Sequence, residues 1–126
     1  MENKKHIMLV DDDKAIREML KDMLEDAGFK VDTMEDGQQA IDNFNKELYQ
    51  LVITDIIMPE KEGIELIIHL KKVAPEIKII AISGGGRGKP EDYLLNAEIL
   101  GADATFTKPF SPAKLLEKVQ SLLLNE

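Results

Sequence analysis

The chain contains no cysteine. That removes a disulfide framework and any thiolate chemistry, and fits a reducing compartment. It also lacks a long apolar run: no stretch approaches ~18 residues, and no signal-peptide core follows Met1-Glu2-Asn3-Lys4-Lys5, so neither membrane insertion nor export is expected. Basic residues are in deficit, with 16 Lys and Arg against 24 Asp and Glu and a formal charge of −8. The scattered cations argue against direct binding of a nucleic acid backbone, which needs clustered Lys and Arg. Low-complexity linkers and internal repeats are missing too. The expectation is a soluble, cytoplasmic protein whose 126 residues form a single domain, 1–126, with no separate output domain.

What is present is an alternation, repeated five times, of strand-length apolar runs with amphipathic segments of helix length. Strands are expected at Ile7 to Val10, Phe29 to Met34, Leu51 to Thr54, Ile77 to Ile82 and Ala104 to Thr107. Three of them are almost continuously apolar, as in a parallel sheet covered on both faces. A first helix should start near Lys14 with Ile16, Met19, Leu20, Met23 and Ala27 on its apolar stripe and Gly28 as the residue after its C-cap. A second should follow Asp36-Gly37 and bury Ala40, Ile41 and Phe44. A third should follow Gly63 with Ile64, Ile67, Ile68 and Leu70, a fourth should occupy Glu91 to Leu100, and a last should open at Ser111-Pro112 and bury Leu115, Leu116, Val119, Leu122 and Leu123. His6 and His69 read as surface residues, and Met19, Met23 and Met34 as core filling. Five parallel strands with right-handed crossovers predict an α/β doubly wound sheet of order 2-1-3-4-5, flavodoxin-like, with ligand chemistry at the carboxyl ends of the strands.

Each such end carries a polar residue: Asp11, Asp12 and Asp13 after strand one, Asp55 after strand three, Ser83 after strand four and Lys108 after strand five. Three adjacent aspartates repel, by roughly 4 kcal/mol for two charges ~4 Å apart at an effective dielectric near 20. Helix capping, protonation or a bound cation can each offset this. A carboxylate cluster with a hydroxyl and an ammonium makes a hard oxygen site suited to Mg²⁺ or Mn²⁺ and to a phosphoryl-bearing ligand. Asp55 is then the residue best placed as nucleophile.

Taken together, LVDDD, TDIIMP followed by Gly63, IIAIS, GAD (Gly101 to Asp103) and KPF (Lys108 to Phe110) resemble a response-regulator receiver domain of two-component signal transduction, CheY-like, over essentially the whole chain. The resemblance implies a phosphorylation-dependent switch rather than an enzyme. Asp55 would accept a phosphoryl group from a histidine kinase or small phosphodonor, and the chain would catalyse its own phosphorylation and slow dephosphorylation. Asp12 would bind Mg²⁺ directly, Asp11 mainly through water, and the Ile57 backbone carbonyl would fill a further position. Lys108 would pair with the phosphoryl group, Ser83 would hydrogen-bond it, and Pro109 would follow a cis peptide. Asp13 becomes the helix N-cap. Partners would be a histidine kinase or phosphotransfer protein and a downstream protein target, as an output switch or in a relay.

Three features depart from the family pattern. Thr105 stands where many members carry an aromatic, with Phe106 next to it, so the usual switch face is altered. The segment GGGRGKPED, Gly84 to Asp92, is longer than usual and reads as a flexible surface loop, with a partner-specific lid using Arg87 as the sharper alternative. It fails the P-loop pattern at Ser83 and Pro90. Ala104 and Ala113-Lys114 weaken the case for dimerisation through the last two helices and the strand between them. Ile57 and Gly85 offer no group to position an attacking water, which predicts a long-lived phosphorylated state. Two rival readings are a pseudo-receiver acting only as an interaction module and a haloacid-dehalogenase-type phosphatase. The first is disfavoured by the joint presence of Asp11, Asp12, Asp55, Ser83 and Lys108, the second by Lys14 after Asp13.

Overall fold

A computed structural model describes residues 5–56, 63–83, 98 and 100–124. Five parallel strands, β1 (His6–Val10), β2 (Lys30–Met34), β3 (Leu51–Asp55), β4 (Lys78–Ser83) and β5 (Ala104–Thr107), form one open sheet of order β2-β1-β3-β4-β5. The described helices are α1 (Lys14–Asp26), α2 (Gly37–Asn43), α3 (Gly63–Val73) and α4 (Pro112–Leu124). This is the doubly wound α/β architecture expected from the sequence. Most of the helix expected over Glu91 to Leu100 and the Gly84 to Asp92 loop lie outside the described residues.

Successive strand residues point to opposite faces, so the apolar strands feed two cores. Met8, Val10, Val52, Ile79 and Ala81 pack with Leu66, Ile67 and Leu70 of α3 on one face. Ile7, Leu9, Leu51, Ile53, Ile80 and Ile82 pack with Leu20 and Leu24 of α1 and Leu115, Val119 and Leu123 of α4 on the other. Among the described residues no helix is long and apolar enough to cross a membrane.

Local chemistry sets the helix ends. Asp13 caps α1, its Oδ1 accepting from the Ala15 and Ile16 amides at 2.9 and 3.2 Å. At the other end the Gly28 amide donates to the Glu25 carbonyl and the Phe29 amide to the Leu24 carbonyl. This paired arrangement needs a left-handed residue, and Gly28 has φ +101°. Phe29, expected as the first residue of strand two, instead sits buried in this turn, and β2 begins at Lys30. Asp36 caps α2 through the Gln39 amide, and the Ser111 Oγ accepts from the Lys114 amide at the start of α4.

Several expected core positions are corrected. Met19 and Ile68 are 44% and 49% exposed, and Ala27 is exposed as the C-cap of α1. Leu24 and Leu66 occupy the core instead. One step along a helix turns the side chain by about 100°, so Met19 lies one step off the Leu20–Leu24 line and Ile68 one step off Ile67. In α3 the apolar residues support two overlapping stripes, and the one through Gly63, Leu66, Ile67 and Leu70 faces the sheet. His6 is also corrected: its side chain is only 12% exposed, and its Nε2 lies 2.9 Å from Asp32 Oδ2.

Candidate functional site

The strand register brings distant residues to one edge. Val10 pairs with Thr54, and Asp55 pairs with Ile82, so Asp11, Asp55 and Ser83 leave the carboxyl edge on three adjacent strands. The loop after β5 joins them because the Lys108 amide donates to the Ser83 carbonyl at 2.7 Å. The Lys108–Pro109 peptide is cis.

Lys108 reaches back into the cluster. Its Nζ lies 2.9 Å from Asp55 Oδ2 and 3.2 Å from Asp11 Oδ2. Asp11 and Asp55 are buried, and Asp12 is exposed. One oxygen from each of the three carboxylates lies within 4.8 Å of the others. Three carboxylates around one ammonium leave surplus negative charge in a partly desolvated crevice. Burial holds the Asp11 carboxyl above its usual range, with the Asp55 charge acting in the same direction, while the Asp13 amide and Lys108 pull it down. Burial works to lower Lys108, but its bonds to Asp55 and the charges of Asp55 and Asp11 more than offset this, leaving it above its usual value.

Each Asp11 polar group has a distinct contact. Its amide donates to the Met34 carbonyl, its Oδ1 accepts from the Asp13 amide at 2.8 Å, and its carbonyl accepts from Arg17 Nη1 at 2.8 Å. Its buried Oδ2 faces Lys108 but accepts no well-aligned hydrogen bond. The Ser83 Oγ is likewise buried without a hydrogen-bond partner among the described residues. A buried hydroxyl without a hydrogen-bond partner is costly, and a carboxylate oxygen held only by an ion pair keeps capacity for another partner; the hard oxygen character of both fits a bound divalent cation and a phosphoryl oxygen.

The residues expected to form the site therefore divide. Asp11, Asp12, Asp55 and Lys108 come together, with Ser83 at the adjoining strand end. Thr105 pairs with Ala81 in the sheet. Phe106 is partly buried against the α1 and α4 core, with its ring 6.1 Å from that of Phe110. Ile57 and Arg87 lie outside the described residues. Sequence reasoning missed Arg17, although an arginine in the first turn after an acidic loop was a usable signal. It also missed the room Gly63 supplies: a Cβ there would lie 2.4 Å from both the Asp55 carbonyl oxygen and the Ile56 Cα.

The sequence profile of the response regulator receiver domain matches residues 7–120. The chain belongs to that family. Among relatives of this receiver domain, the transcriptional regulatory protein CpxR homolog of Haemophilus influenzae is 36% identical over 117 residues, covering 93% of this chain and 49% of that protein. The phosphate regulon transcriptional regulatory protein PhoB of Escherichia coli is 34% identical, covering 94% of this chain and 52% of that protein. The chain thus spans about half the length of these relatives. A CheY-like receiver domain protein of Methanospirillum hungatei superposes with a TM-score of 0.85 at 34% identity, over 98% of this chain and 96% of that one.

Proposed function

We propose that this receiver domain is a phosphorylation switch in which Asp55 accepts a phosphoryl group from a histidine kinase phosphohistidine or a small acyl phosphate. The supporting observation is the convergence of the Lys108 ammonium on Asp55 and Asp11, 2.9 and 3.2 Å away, with the buried Ser83 at the end of the adjoining strand. An Asp55 carboxylate oxygen attacks phosphorus in line. The bond from phosphorus to the donor's nitrogen or oxygen breaks, its electron pair leaves with the donor, and an acyl phosphate remains on Asp55. Phosphoryl transfer asks chiefly for such positioning and charge stabilisation. In this reading Lys108, which lies 2.9 Å from Asp55 Oδ2, pairs with the transferred group, and Ser83 donates its hydroxyl proton to a phosphoryl oxygen.

Asp11, Asp12 and Asp55 form the set that would hold Mg²⁺ or Mn²⁺, with the Ile57 carbonyl as a further ligand. When bound, the cation neutralises charge on the acceptor and phosphoryl oxygens. The chain's own residues bind and orient: Asp13 caps the loop into α1, and Lys108 holds Asp55. Thr105 and Phe106 belong to the proposed switch face, and Arg87 to the proposed partner surface. The signal passes to a downstream protein in the cytoplasm, or onward through a phosphotransfer protein. Without a side chain suited to positioning water at Ile57 or Gly85, the phosphorylated form decays slowly.

The test is intact mass after incubation with Mg²⁺ and acetyl phosphate. One added phosphoryl group is expected for wild type and none for Asp55→Asn or for chelated protein. Labelling of Asp55→Asn to the wild-type level would sink the assignment.

A further inference from the structure

Arg17 lies on α1 with a side chain only 13% exposed, and its guanidinium meets two separate parts of the chain. Nη1 donates to the Asp11 carbonyl at 2.8 Å, and Nη2 lies 3.6 Å from Glu35 Oε1 in the turn between β2 and α2. Glu35 is tied in turn to the start of α2, its amide donating to Gln39 Oε1 and its carboxylate accepting from Gln39 Nε2. The Asp11 amide still donates to the Met34 carbonyl of β2, but the pairing of β1 with β2 ends at Val10, so the Asp11 carbonyl on that side sits just where β1 leaves the sheet. Arg17 supplies the bond that the sheet no longer does. We propose that Arg17 is a positioning residue for the cation site, fixing the Asp11 backbone so that its carboxylate keeps the orientation needed to hold a divalent ion.

This depends on reading Asp11, Asp12 and Asp55 as that site. Two effects of removing Arg17 oppose each other. Loss of a nearby positive charge strengthens cation binding through space, whereas loss of the bond to Asp11 weakens it by freeing a ligand. Partners behind the ligands of a metal site commonly change affinity by 10–100-fold. The largely buried guanidinium bonded to the ligand's own backbone therefore points to positioning as the larger effect. Lysine keeps the charge but has one nitrogen and cannot hold Asp11 and Glu35 in the same planar fork.

The experiment is an amide NMR titration with MgCl₂ at constant ionic strength on wild type, Arg17→Lys and Arg17→Gln, below the melting transition of each. Arg17→Gln is expected to bind Mg²⁺ roughly tenfold more weakly and Arg17→Lys at least about threefold. The Asp13 amide, bonded to Asp11 Oδ1, should exchange faster in both. If Arg17→Gln does not fold, Arg17→Lys and its Asp13 exchange decide the question. Affinity equal to or tighter than wild type in a folded variant, even with a lowered melting temperature, overturns the proposal and leaves Arg17 a purely structural residue. Absence of any Mg²⁺ response in wild type overturns the cation reading itself and this inference with it, a result separate from failure at Arg17 alone.

Discussion

Gly63→Ala tests how closely α3 is built against the phosphoacceptor strand. Gly63 is helical, so the glycine is there for room. An added Cβ would stand 2.4 Å from the Asp55 carbonyl oxygen and the Ile56 Cα and 3.1 Å from the Asp55 carbonyl carbon. Carbon atoms make contact at about 3.5–4.0 Å, and all three neighbours are backbone that cannot rotate away. The start of α3 must therefore retreat by about 1 Å. Overpacking of this kind costs about 1–3 kcal/mol, and the close approach to backbone puts Gly63→Ala near the upper end. The small helix-propensity gain of alanine at a first-turn position does not offset it. For a domain of this size the melting temperature should fall by roughly 8–12 °C. The retreat also disturbs Asp55, and a misplacement of about 1 Å can cost about 100-fold in rate. Thermal melts followed by circular dichroism, with acetyl phosphate labelling at a temperature where the variant is folded, read both effects. A wild-type melting temperature with wild-type labelling would refute the close approach; a lowered melting temperature with wild-type labelling would refute its link to Asp55.

Within α3, Leu66→Ala should cost about 2–5 kcal/mol because Leu66 is fully buried, whereas Ile68→Ala should stay within about 0.5 kcal/mol; equal losses in urea denaturation would contradict the assigned helix face. Tyr49→Phe removes a 2.6 Å donor to Asp32, and should destabilise by about 1 kcal/mol while sparing phosphorylation. Burial, followed by the bond and charge of Asp32, holds the Tyr49 phenol well above its ordinary value of 10.0. Its contribution is therefore fully present below about pH 10 and lost as the pH rises through the raised folded-state value, so wild type should lose stability on alkalisation more steeply than Tyr49→Phe; parallel melting curves against pH would count against this. Asp11→Asn removes a buried charge beside Asp55 while keeping an acceptor for the Asp13 amide. It should raise the melting temperature without divalent cations and abolish the stabilisation by Mg²⁺, which for wild type reaches about 2.7 kcal/mol at a hundredfold excess over Kd. A Mg²⁺-induced melting shift equal to wild type in this variant would exclude Asp11 as a ligand.

Much of this molecule is legible in one dimension because its determinants are local. Strands covered on both faces must be apolar along their length, so Leu51 to Thr54 and Ile77 to Ile82 stand out, and the polar residue ending each run marks the carboxyl edge. Asp13, Gly28 and Ser111 act within a few residues of themselves, as caps and turns do. Those signals, with the order rule for parallel sheets, sufficed to group Asp11, Asp12, Asp55, Ser83 and Lys108 before any coordinates.

Other choices depended on approach in space. The α3 sequence offers Ile64, Ile67 and Ile68 as readily as Leu66, Ile67 and Leu70, and the close contact of Gly63 with the Asp55 backbone selects the second set. His6 looked like a surface residue until β2 and the segment before β3 brought the Asp32 carboxylate and the Tyr49 ring to it. Arg17 had no visible partner until the turn after β2 placed Glu35 beside it. Period and capping are properties of a segment, so the sequence by itself determined the described elements, their order and the chemistry at their ends. Which of two helical stripes turns inward, and which charges meet across the sheet, depends on contacts between residues far apart in the chain, and only the tertiary structure decided them.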